Sequence, residues 1–585
     1  MNLHRIFRLP FGAPALIVLA IATPPVGRAA EALPGDEVVA LPPFIVEEPT
    51  KGPPWRYAEM PGFEILSRCG DNTTRELAAA HARVHQLLAL ILPESLQVSF
   101  AVPKKLIFYD AALQPAASQE VIAGMLRREP KDAAAPVEAF PPGVRGIRFQ
   151  PPQRRYSFMP NLRLWDTDAM AVFAIVKVNA TDLDRMALTS DYVAYLLTSR
   201  TPALPTWFIA GVLSLHEQAD FNGNDLTLPA GLWISAADTE ALKEDPKTAP
   251  ALLPLQEVLR GPAPSRDDGG RERFRIWRSE ATLFVRWALD GGPARREALW
   301  KWVDRASAEG SSEALFQECF GLSLAAAGEQ LTAYLPVAVR KTLRLRLERS
   351  WKPPALRLRN ATEEEIARVK GDWERLEIAY VRSKTPELAP KYLEQARRTL
   401  MRAYEHDERA PGLLAVLGLC EVDAGNDAGA RGFLEAAAAG GMVRPRAWFE
   451  LARLRFAECR AHPAAADGKL SVEQASDVLA PLFRARSQLP PLATVYELIA
   501  SVWLDCEIKP SRGHLAVLDE GVHLFPRRVE LVYRAAELYA QNGFAPEAAT
   551  LVELGRQIAP DDATRARFTR LLPEAPAAPA VTPGG

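Results

Sequence analysis

The chain has 585 residues, of which 48% are hydrophobic and 24% are charged. At roughly 100–200 residues per domain, this length predicts three or four domains of ordinary globular composition. The 70 Lys and Arg residues nearly balance the 72 Asp and Glu residues, which argues against a nucleic-acid partner because such a partner calls for a basic surplus. The five cysteines form no CxxC pair, which argues against a metal site built from sulfur ligands.

The first 30 residues have the three-part order of a secretory signal peptide. Arg5 and Arg8 precede an apolar run at 13–22, and small residues follow at Gly27 and Ala30. The apolar run is shorter than the roughly 20 residues that a membrane span requires. The sequence therefore predicts a mature chain without an integral membrane span, exported to a periplasm or out of the cell. An uncleaved anchor is the alternative.

Two segments before residue 136 differ in composition. Residues 31–55 are rich in Pro and acidic groups and are expected to form an extended linker. Alternation at 63–67, a helical pattern that Thr74 is expected to cap, and an apolar run at 106–109 predict a small α+β unit over residues 56–135.

Residues 136–350 are expected to form a second α+β and helical domain. Its strongest strand spans 170–178, where a nearly continuous apolar run is typical of an inner strand covered on both faces. Thr181 or Asp182 is expected to begin a helix that ends near residue 199.

The last third of the chain contains a helical repeat. Pro526 and Pro560 each follow a helical hairpin and lie 34 positions apart, which is the length of one tetratricopeptide repeat. Two units place small, aromatic or apolar residues at the positions that this repeat requires: Leu414, Leu417, Gly418, Ala430, Leu434 and Ala437, and then Ala536, Tyr539, Ala548 and Gly555. Residues 365–565 resemble tetratricopeptide repeats, and an irregular helical bundle is the alternative. The Pro-rich tail at 571–585 is expected to be disordered.

The segment at 188–212 carries the hydrophobic pattern of an enzyme active site. Positions Tyr192, Leu196 and Leu197, and then Leu204, Pro205, Trp207, Phe208, Gly211 and Val212, match the helix pair of a zinc metallopeptidase. Over about residues 165–335 the chain resembles gluzincins, the peptidase MA-like family. The resemblance implies a zincin-like α+β fold, an HExxH helix whose two His bind zinc and whose Glu is the general base, and a third ligand from a Glu of the next helix.

All four functional positions of that motif are occupied by other residues. Ser190 and Ala194 stand at the two His positions, Asp191 at the Glu base and Ala210 at the third ligand. Ala offers no lone pair to a metal, and neutral Ser is a poor zinc ligand. Without a metal-bound water to activate, Asp191 has no substrate for general-base chemistry. If the helix pair is instead unrelated to peptidases, these residues carry no such meaning.

The sequence therefore predicts a non-catalytic exported protein with no catalytic or metal-binding residues and no cofactor. A zincin-like α+β region would be followed by a tetratricopeptide solenoid whose concave surface binds a protein or peptide. A purely structural envelope protein is a further alternative.

The main rival is a hydrolase whose ligands come from other positions. His216 and Glu217, with Asp238 or Glu240, are the candidates for such a displaced site. The default interpretation of His216 is a charged residue near a helix C-terminus, stabilised by the helix dipole. His81 and His85 share one face of a helix rich in Ala and Arg and are expected to be exposed there.

Overall fold

The computed structural model describes residues 38–43, 52–113, 155–159, 161–177, 189–231, 236–248, 251–261, 263–265, 270–465 and 467–571. The chain divides into two compact units. In the first, strands β1 (Val38–Leu41) and β5 (Arg155–Phe158) pair in parallel. The predicted signal peptide and most of the predicted linker and tail lie outside the described residues.

A six-stranded sheet forms the base of the second unit. Its strands, in the order in which they lie side by side, are β11 (Arg359–Asn360), β2 (Arg56–Met60), β3 (Phe63–Ser67), β4 (Lys104–Asp110), β7 (Met170–Val176) and β6 (Asn161–Trp165). β3, β4 and β7 are parallel, whereas β11, β2 and β6 run antiparallel to their neighbours. The interior position of β7 confirms the predicted inner strand.

One sheet takes strands from both sides of the predicted boundary at residues 135 and 136. The backbone pairs Ile107 of β4 with Phe173 of β7, so the predicted small unit and the predicted second domain share a single hydrogen-bonded layer. The division of residues 56–350 into two domains was wrong for this reason.

The first helix, α1 (Asp71–Leu88), begins three residues before the expected cap. Its N-cap is Gly70, and the hydroxyl of Thr74 instead donates to the Gly70 carbonyl at 3.1 Å and pairs with the Ser67 hydroxyl at 2.8 Å. Thr74 therefore ties the helix to the end of β3 from inside the first turn.

The helix pair singled out in the sequence is α2 (Ser190–Thr198) and α3 (Thr206–Gln218). The residue before α2 is extended, with φ −99° and ψ 159° at Thr189. The expected single helix from residue 181 or 182 to 199 is therefore wrong, because the helix that ends at Thr198 starts only at Ser190; residues 178–188 lie outside the described residues.

A second layer of helices and a small sheet follow this pair. β8 (Asp220–Asn222), β9 (Asp225–Leu228) and β10 (Leu343–Arg346) form an antiparallel sheet in the order β10-β9-β8. The helices between them are α4 (Ala236–Glu244), α5 (Leu255–Arg260), α6 (Arg271–Asp290), α7 (Pro293–Glu309), α8 (Glu313–Phe320) and α9 (Leu324–Ala338). Within the described ranges no helix combines the length and apolarity needed to cross a membrane.

The rest of the chain is a stack of helical hairpins. Its helices are α10 (Glu363–Lys384), α11 (Ala389–Glu405), α12 (Pro411–Asp423), α13 (Asp427–Ala439), α14 (Pro445–Ala461), α15 (Val472–Arg486), α16 (Ala493–Asp505), α17 (Arg512–Leu524), α18 (Val529–Gln541), α19 (Ala545–Ile558) and α20 (Asp562–Thr569). The first helices of successive hairpins pack against one another, and each second helix packs against its own first helix and the next one. The region predicted at 365–565 is thus a tetratricopeptide-like helical array.

The array is joined to the sheet by a largely buried set of charged side chains, here called the ionic cluster. Its members are Lys105, Asp166, Asp168, Asp372, Arg375, Asp423, Arg444 and Arg446. Asp372, which is fully buried, receives contacts from Lys105, Arg375 and Arg444. Burial favours the neutral form of Asp372, but Arg444, Lys105 and Arg375 outweigh it and hold its pKa well below the usual range. Asp372 is therefore ionised within the cluster.

Apolar contacts accompany the ionic cluster. The ring of Trp373 in α10 stacks on Phe173 of β7, with ring centroids 5.3 Å apart. Both side chains are buried in one cluster with residues of β2 and β4. The first helix of the array therefore covers the face of the sheet opposite α1 and α2.

Candidate functional site

The three motif positions on α2 lie along its less buried stripe. Ser190 and Ala194 are half-buried and Asp191 is exposed, whereas Tyr192 and Leu196 point into the core. A spacing of four residues places Ser190 and Ala194 on one helical face. The hydrophobic residues of the motif thus form part of the core. The positions at which the motif would have its zinc ligands lie at the surface of that core.

The matching residues of α3 are packing residues. Trp207 and Phe208 are buried, and the Trp207 ring stacks on Trp302 with centroids 5.1 Å apart. A Cβ at Gly211 would lie 2.8 Å from the carbonyl oxygen of Ala281 in α6, so glycine permits the close approach of these two helices. Ala210, the position of the third ligand, is half-buried beside it.

Two of the residues proposed for a displaced metal site form ion pairs with basic side chains. Glu217 accepts a hydrogen bond from Arg278 at 2.6 Å, and Glu240 accepts one from Lys243 at 2.7 Å. Across the described ranges no group of three or more His, Cys, Asp and Glu residues has the arrangement of a metal site.

His216 has a different role from the one expected. Its side chain is buried against Phe221, with ring centroids 5.9 Å apart, and burial lowers its pKa to about 4. A neutral imidazole gains nothing from the helix dipole, so the prediction of a charged C-terminal residue was wrong.

The prediction of two exposed histidines on α1 was also wrong. His81 is 1% exposed, its Nδ1 lies 3.0 Å from the Leu77 carbonyl oxygen, and burial lowers its pKa to about 4. His85 packs between the rings of Phe63 and Tyr192, at centroid distances of 4.9 and 5.1 Å. Burial, followed by the nearby Lys104, holds the pKa of His85 well below its usual range.

His85 belongs to a polar group next to α2, here called the donor cluster: His85, Lys104, Arg163, Thr189 and Tyr192. The Lys104 Nζ lies 4.7 Å from the centroid of the Phe63 ring and 5.6 Å from that of Tyr192. The Tyr192 hydroxyl, the Thr189 hydroxyl and His85 Nε2 are buried atoms with no hydrogen-bond partner in the described part of the chain.

The sheet register explains why the two cations of the donor cluster share one side. Arg163 in β6 pairs with Val172, and Val172 pairs with Leu106 in β4. Lys104 lies two positions before Leu106, so Lys104 and Arg163 both project from the face that carries α1 and α2. Sequence reasoning missed this cluster because its strands, separated by more than 50 residues, could not be paired in advance. The signal within each strand was a charged residue, Lys104 in β4 or Arg163 in β6, next to apolar ones.

The cations remain charged near neutral pH. Burial lowers the pKa of Lys104 to about 8, with Glu94 opposing the shift, and burial lowers the pKa of Arg163 to about 10. Asp191 and Tyr192 are close enough to Arg163 to oppose that shift. The donor cluster therefore lies beside Asp191 at the start of α2.

Similarity to solved structures extends over about a third of the chain in the matches described here. No protein-family model and no curated protein matches the chain. The crystal structure of YrrB is described as that of a TPR protein with an unusual peptide-binding site. YrrB is 17% identical to this chain, and the match covers 34% of this chain and 90% of YrrB with a TM-score of 0.25. Acl4, described as an assembly chaperone of RpL4, is 16% identical over 34% of the chain and 83% of Acl4, with a TM-score of 0.23. The assignment of the array rests on the helix pairs of this chain.

Proposed function

We propose that this chain is an exported, non-catalytic binding protein in which a peptidase-like α+β region without zinc ligands carries a tetratricopeptide-like array that binds a protein partner. The observation that carries the proposal is the continuous layer of first helices in the array, α12, α14, α16 and α18, which pack side by side. Such repeats contact only their neighbours and leave one extended surface available to a ligand.

The first-helix layer carries half-buried apolar and charged side chains next to one another. Leu498 of α16 and Tyr533 of α18 are half-buried and pack against the core of the array, beside Glu497 and Arg534. Arg567 lies over the Tyr533 ring at 3.5 Å from its centroid, which fixes the aromatic side chain. Ordered aromatic and apolar side chains bordered by charges are typical of the centre of protein interfaces.

Partner capture with matched variants tests the binding role. The full-length chain is used as bait in an extract of the cells that export it, next to Leu498→Arg on the first-helix layer and Thr550→Arg on the outer helix α19, where Thr550 is exposed. The Leu498→Arg variant should lose the partner that the parent and Thr550→Arg retain. Equal capture by all three proteins would contradict a role for this layer.

The peptidase-like origin of α2 and α3 rests on the match of their hydrophobic positions and on the chemistry of the substitutions. Ala194 and Ala210 offer no donor atom to zinc, and Ser190 offers only a neutral hydroxyl. Combining Ser190→His, Asp191→Glu, Ala194→His and Ala210→Glu restores the full ligand set. The folded variant should bind one zinc ion, and a folded variant without zinc affinity would contradict the peptidase-like assignment.

A further inference from the structure

Residues 340–359 are strongly basic in a chain whose overall charge is nearly balanced. Glu348 is the single acidic residue among them. The basic residues of this segment are Arg340, Lys341, Arg344, Arg346, Arg349, Lys352, Arg357 and Arg359. The segment runs through β10 and ends at β11, so it connects the small sheet with the edge of the six-stranded sheet. A local surplus of positive charge is therefore concentrated at one place in the fold.

Four of these basic side chains are satisfied by the protein itself, and four are not. The ion pairs join Lys341 to Asp290, Arg346 to Asp225 and Arg359 to Glu365. Arg340 donates to the carbonyl oxygen of Leu242 at 3.0 Å. The remaining four side chains, here called the basic strip, are exposed and form no ion pair or hydrogen bond within the part of the chain that the structure describes: Arg344, Arg349, Lys352 and Arg357.

Two carboxylates lie near the basic strip, and they leave most of its charge uncompensated. Arg344 is close enough to Asp225 to act on its charge, but Asp225 already accepts hydrogen bonds from Arg346 at 2.7 and 3.0 Å. Glu348 is one exposed carboxylate beside four cations. The basic strip therefore presents a net positive charge to the solvent.

The backbone that carries the basic strip is attached to the protein surface. In β10, Leu343 and Leu345 are buried and the residues between and after them are exposed, because side chains of a strand alternate between its two faces. Further along, the N–H of Trp351 donates to the side chain of Asn224, in the turn between β8 and β9, at 2.9 Å. The cations are thus held on the outside of a fixed segment.

The distribution of these charges favours a broad anionic surface over a compact anion or an acidic polypeptide. A single phosphate or carboxylate is bound by donors that converge on it, whereas the basic strip extends from residue 344 to residue 357. Exposed charges add little to the affinity of a protein interface. At an anionic bilayer, each nearby Lys or Arg instead raises the affinity by about fivefold.

An exposed apolar side chain borders the same segment. Val337 is 45% exposed, and its carbonyl oxygen accepts the N–H groups of Arg340 and Lys341. Apolar side chains next to basic ones are typical of surfaces that lie on a bilayer without crossing it.

We propose that the basic strip holds this chain on an anionic phospholipid surface. Arg344, Arg349, Lys352 and Arg357 contact headgroup phosphates, and the backbone stays outside the hydrocarbon layer. The surface is separate from the first-helix layer of the array, so this inference does not depend on the protein partner proposed above.

Co-sedimentation of the full-length chain with two kinds of vesicle tests the proposal. One kind is phosphatidylcholine alone, and the other is an equimolar mixture of phosphatidylcholine and phosphatidylglycerol. We expect at least about tenfold tighter binding to the mixed vesicles. Raising NaCl from about 0.1 M to about 1 M should abolish that preference, because the screening length falls from about 10 Å to about 3 Å. Equal binding to both kinds of vesicle would overturn the proposal.

A charge-reversal variant connects the binding to the basic strip. Arg349→Glu, Lys352→Glu and Arg357→Glu are combined, because all three positions are exposed and outside the strands. The folded variant should lose the preference for phosphatidylglycerol, a loss of at least about tenfold in affinity for the mixed vesicles. Residues 1–30 are the same in every protein compared, so the difference reports on the basic strip.

The matched control reverses three exposed cations of the array. Arg484→Glu, Lys509→Glu and Arg527→Glu change the net charge by the same amount at positions without an ion pair in the described ranges. The control should bind the mixed vesicles to within about threefold of the parent, since its altered charges lie away from the strip. Equal losses in the two variants would show that net charge alone governs binding and would overturn the assignment to the basic strip.

Polyglutamate is the competitor that represents an acidic protein partner. At an equal concentration of negative charges, it should leave most of the parent chain on the mixed vesicles. If polyglutamate keeps the parent chain in the supernatant, the basic strip binds an acidic polypeptide and the lipid proposal is wrong.

Discussion

Two histidines of the α+β region illustrate how burial sets the charge of a single residue. His81 and His216 both have a pKa lowered to about 4 by burial, and both lie among apolar or aromatic neighbours. In the unfolded chain each imidazole titrates near pH 6.5. Folding therefore requires both residues to be neutral.

The stability of the protein should fall as the pH drops below 6.5 for this reason. Because folding lowers the pKa of these two imidazoles, their contribution to the stability of the protein is complete above the pKa of the unfolded chain. It is lost as the pH falls towards 4. At pH 5 each of His81 and His216 should cost about 1–2 kcal/mol of the free energy of unfolding. Urea denaturation of the parent and His216→Phe at pH 7 and pH 5 measures the difference.

The substitution His216→Phe should remove its share of that pH dependence, while His462→Phe at an exposed position should not. If the parent and His216→Phe lose the same stability between pH 7 and pH 5, the imidazole is not held neutral by the fold.

The burial of the α1 histidines was predictable from the sequence by a stricter reading of the helical period. Leu77, His81, Val84 and Leu88 follow one another at intervals of three and four residues, which is the spacing of an apolar stripe. The abundance of Ala and Arg on that helix obscured the stripe. Position on the helical face, and not overall composition, decided the environment of His81.

At the scale of elements, close packing of helices depends on single glycines. The Cβ that alanine would place at Gly211 meets the Ala281 carbonyl oxygen and Val285 of α6, both at 2.8 Å. The Ala281 carbonyl is part of a helix backbone and cannot move without moving α6. By contrast, a Cβ at the exposed Gly432 of α13 meets nothing within 4 Å.

Alanine substitutions at these two positions should have opposite effects. Gly432→Ala should stabilise the protein by about 0.5–1 kcal/mol because glycine costs entropy within a helix. Gly211→Ala should destabilise it by about 1–3 kcal/mol because overpacking outweighs that gain. Denaturant unfolding of both variants measures the two free-energy changes, and stabilisation by Gly211→Ala would show that α3 and α6 are not in close contact.

The helical array was the part of the fold most accessible to sequence reasoning. Gly418 and Leu434 occupy two of the positions that define the repeat. In the structure, a Cβ at Gly418 would lie 2.6 Å from the side chain of Leu434. Repeats are predictable because each hairpin packs on its neighbour in the chain. The start of α2 was not predictable in this way. Thr189 has an extended backbone just before the helix, and the identity of this residue does not mark that conformation in the sequence.

At the scale of the whole molecule, the ionic cluster fixes the array on the sheet. Arg375 of α10 contacts Asp166 after β6 and Asp423 of α12, and Arg444 contacts Asp168 and Asp372. These pairs join residues up to 276 positions apart. Such partners leave no local signal in a sequence, which explains why the junction was not predicted.

Removing one charge from the cluster should be far more costly than removing one at the surface. Asp372→Asn leaves three buried cations without their shared carboxylate and should destabilise the protein by about 3–5 kcal/mol. Asp467→Asn removes one member of an exposed pair with Lys469 and should change stability by less than about 1 kcal/mol. Thermal and urea unfolding of both variants gives the comparison, and similar effects would show that the cluster is hydrated.

The proposed function combines a peptidase-like scaffold with binding that needs no zinc chemistry. Its most direct test is the zinc content of the purified full-length chain, measured together with hydrolysis of a peptide library with and without a chelator. The substitutions at Ser190, Ala194 and Ala210 predict well under one zinc ion per chain and no cleavage that the chelator abolishes. One tightly bound zinc ion per chain, with cleavage that the chelator abolishes, would contradict it.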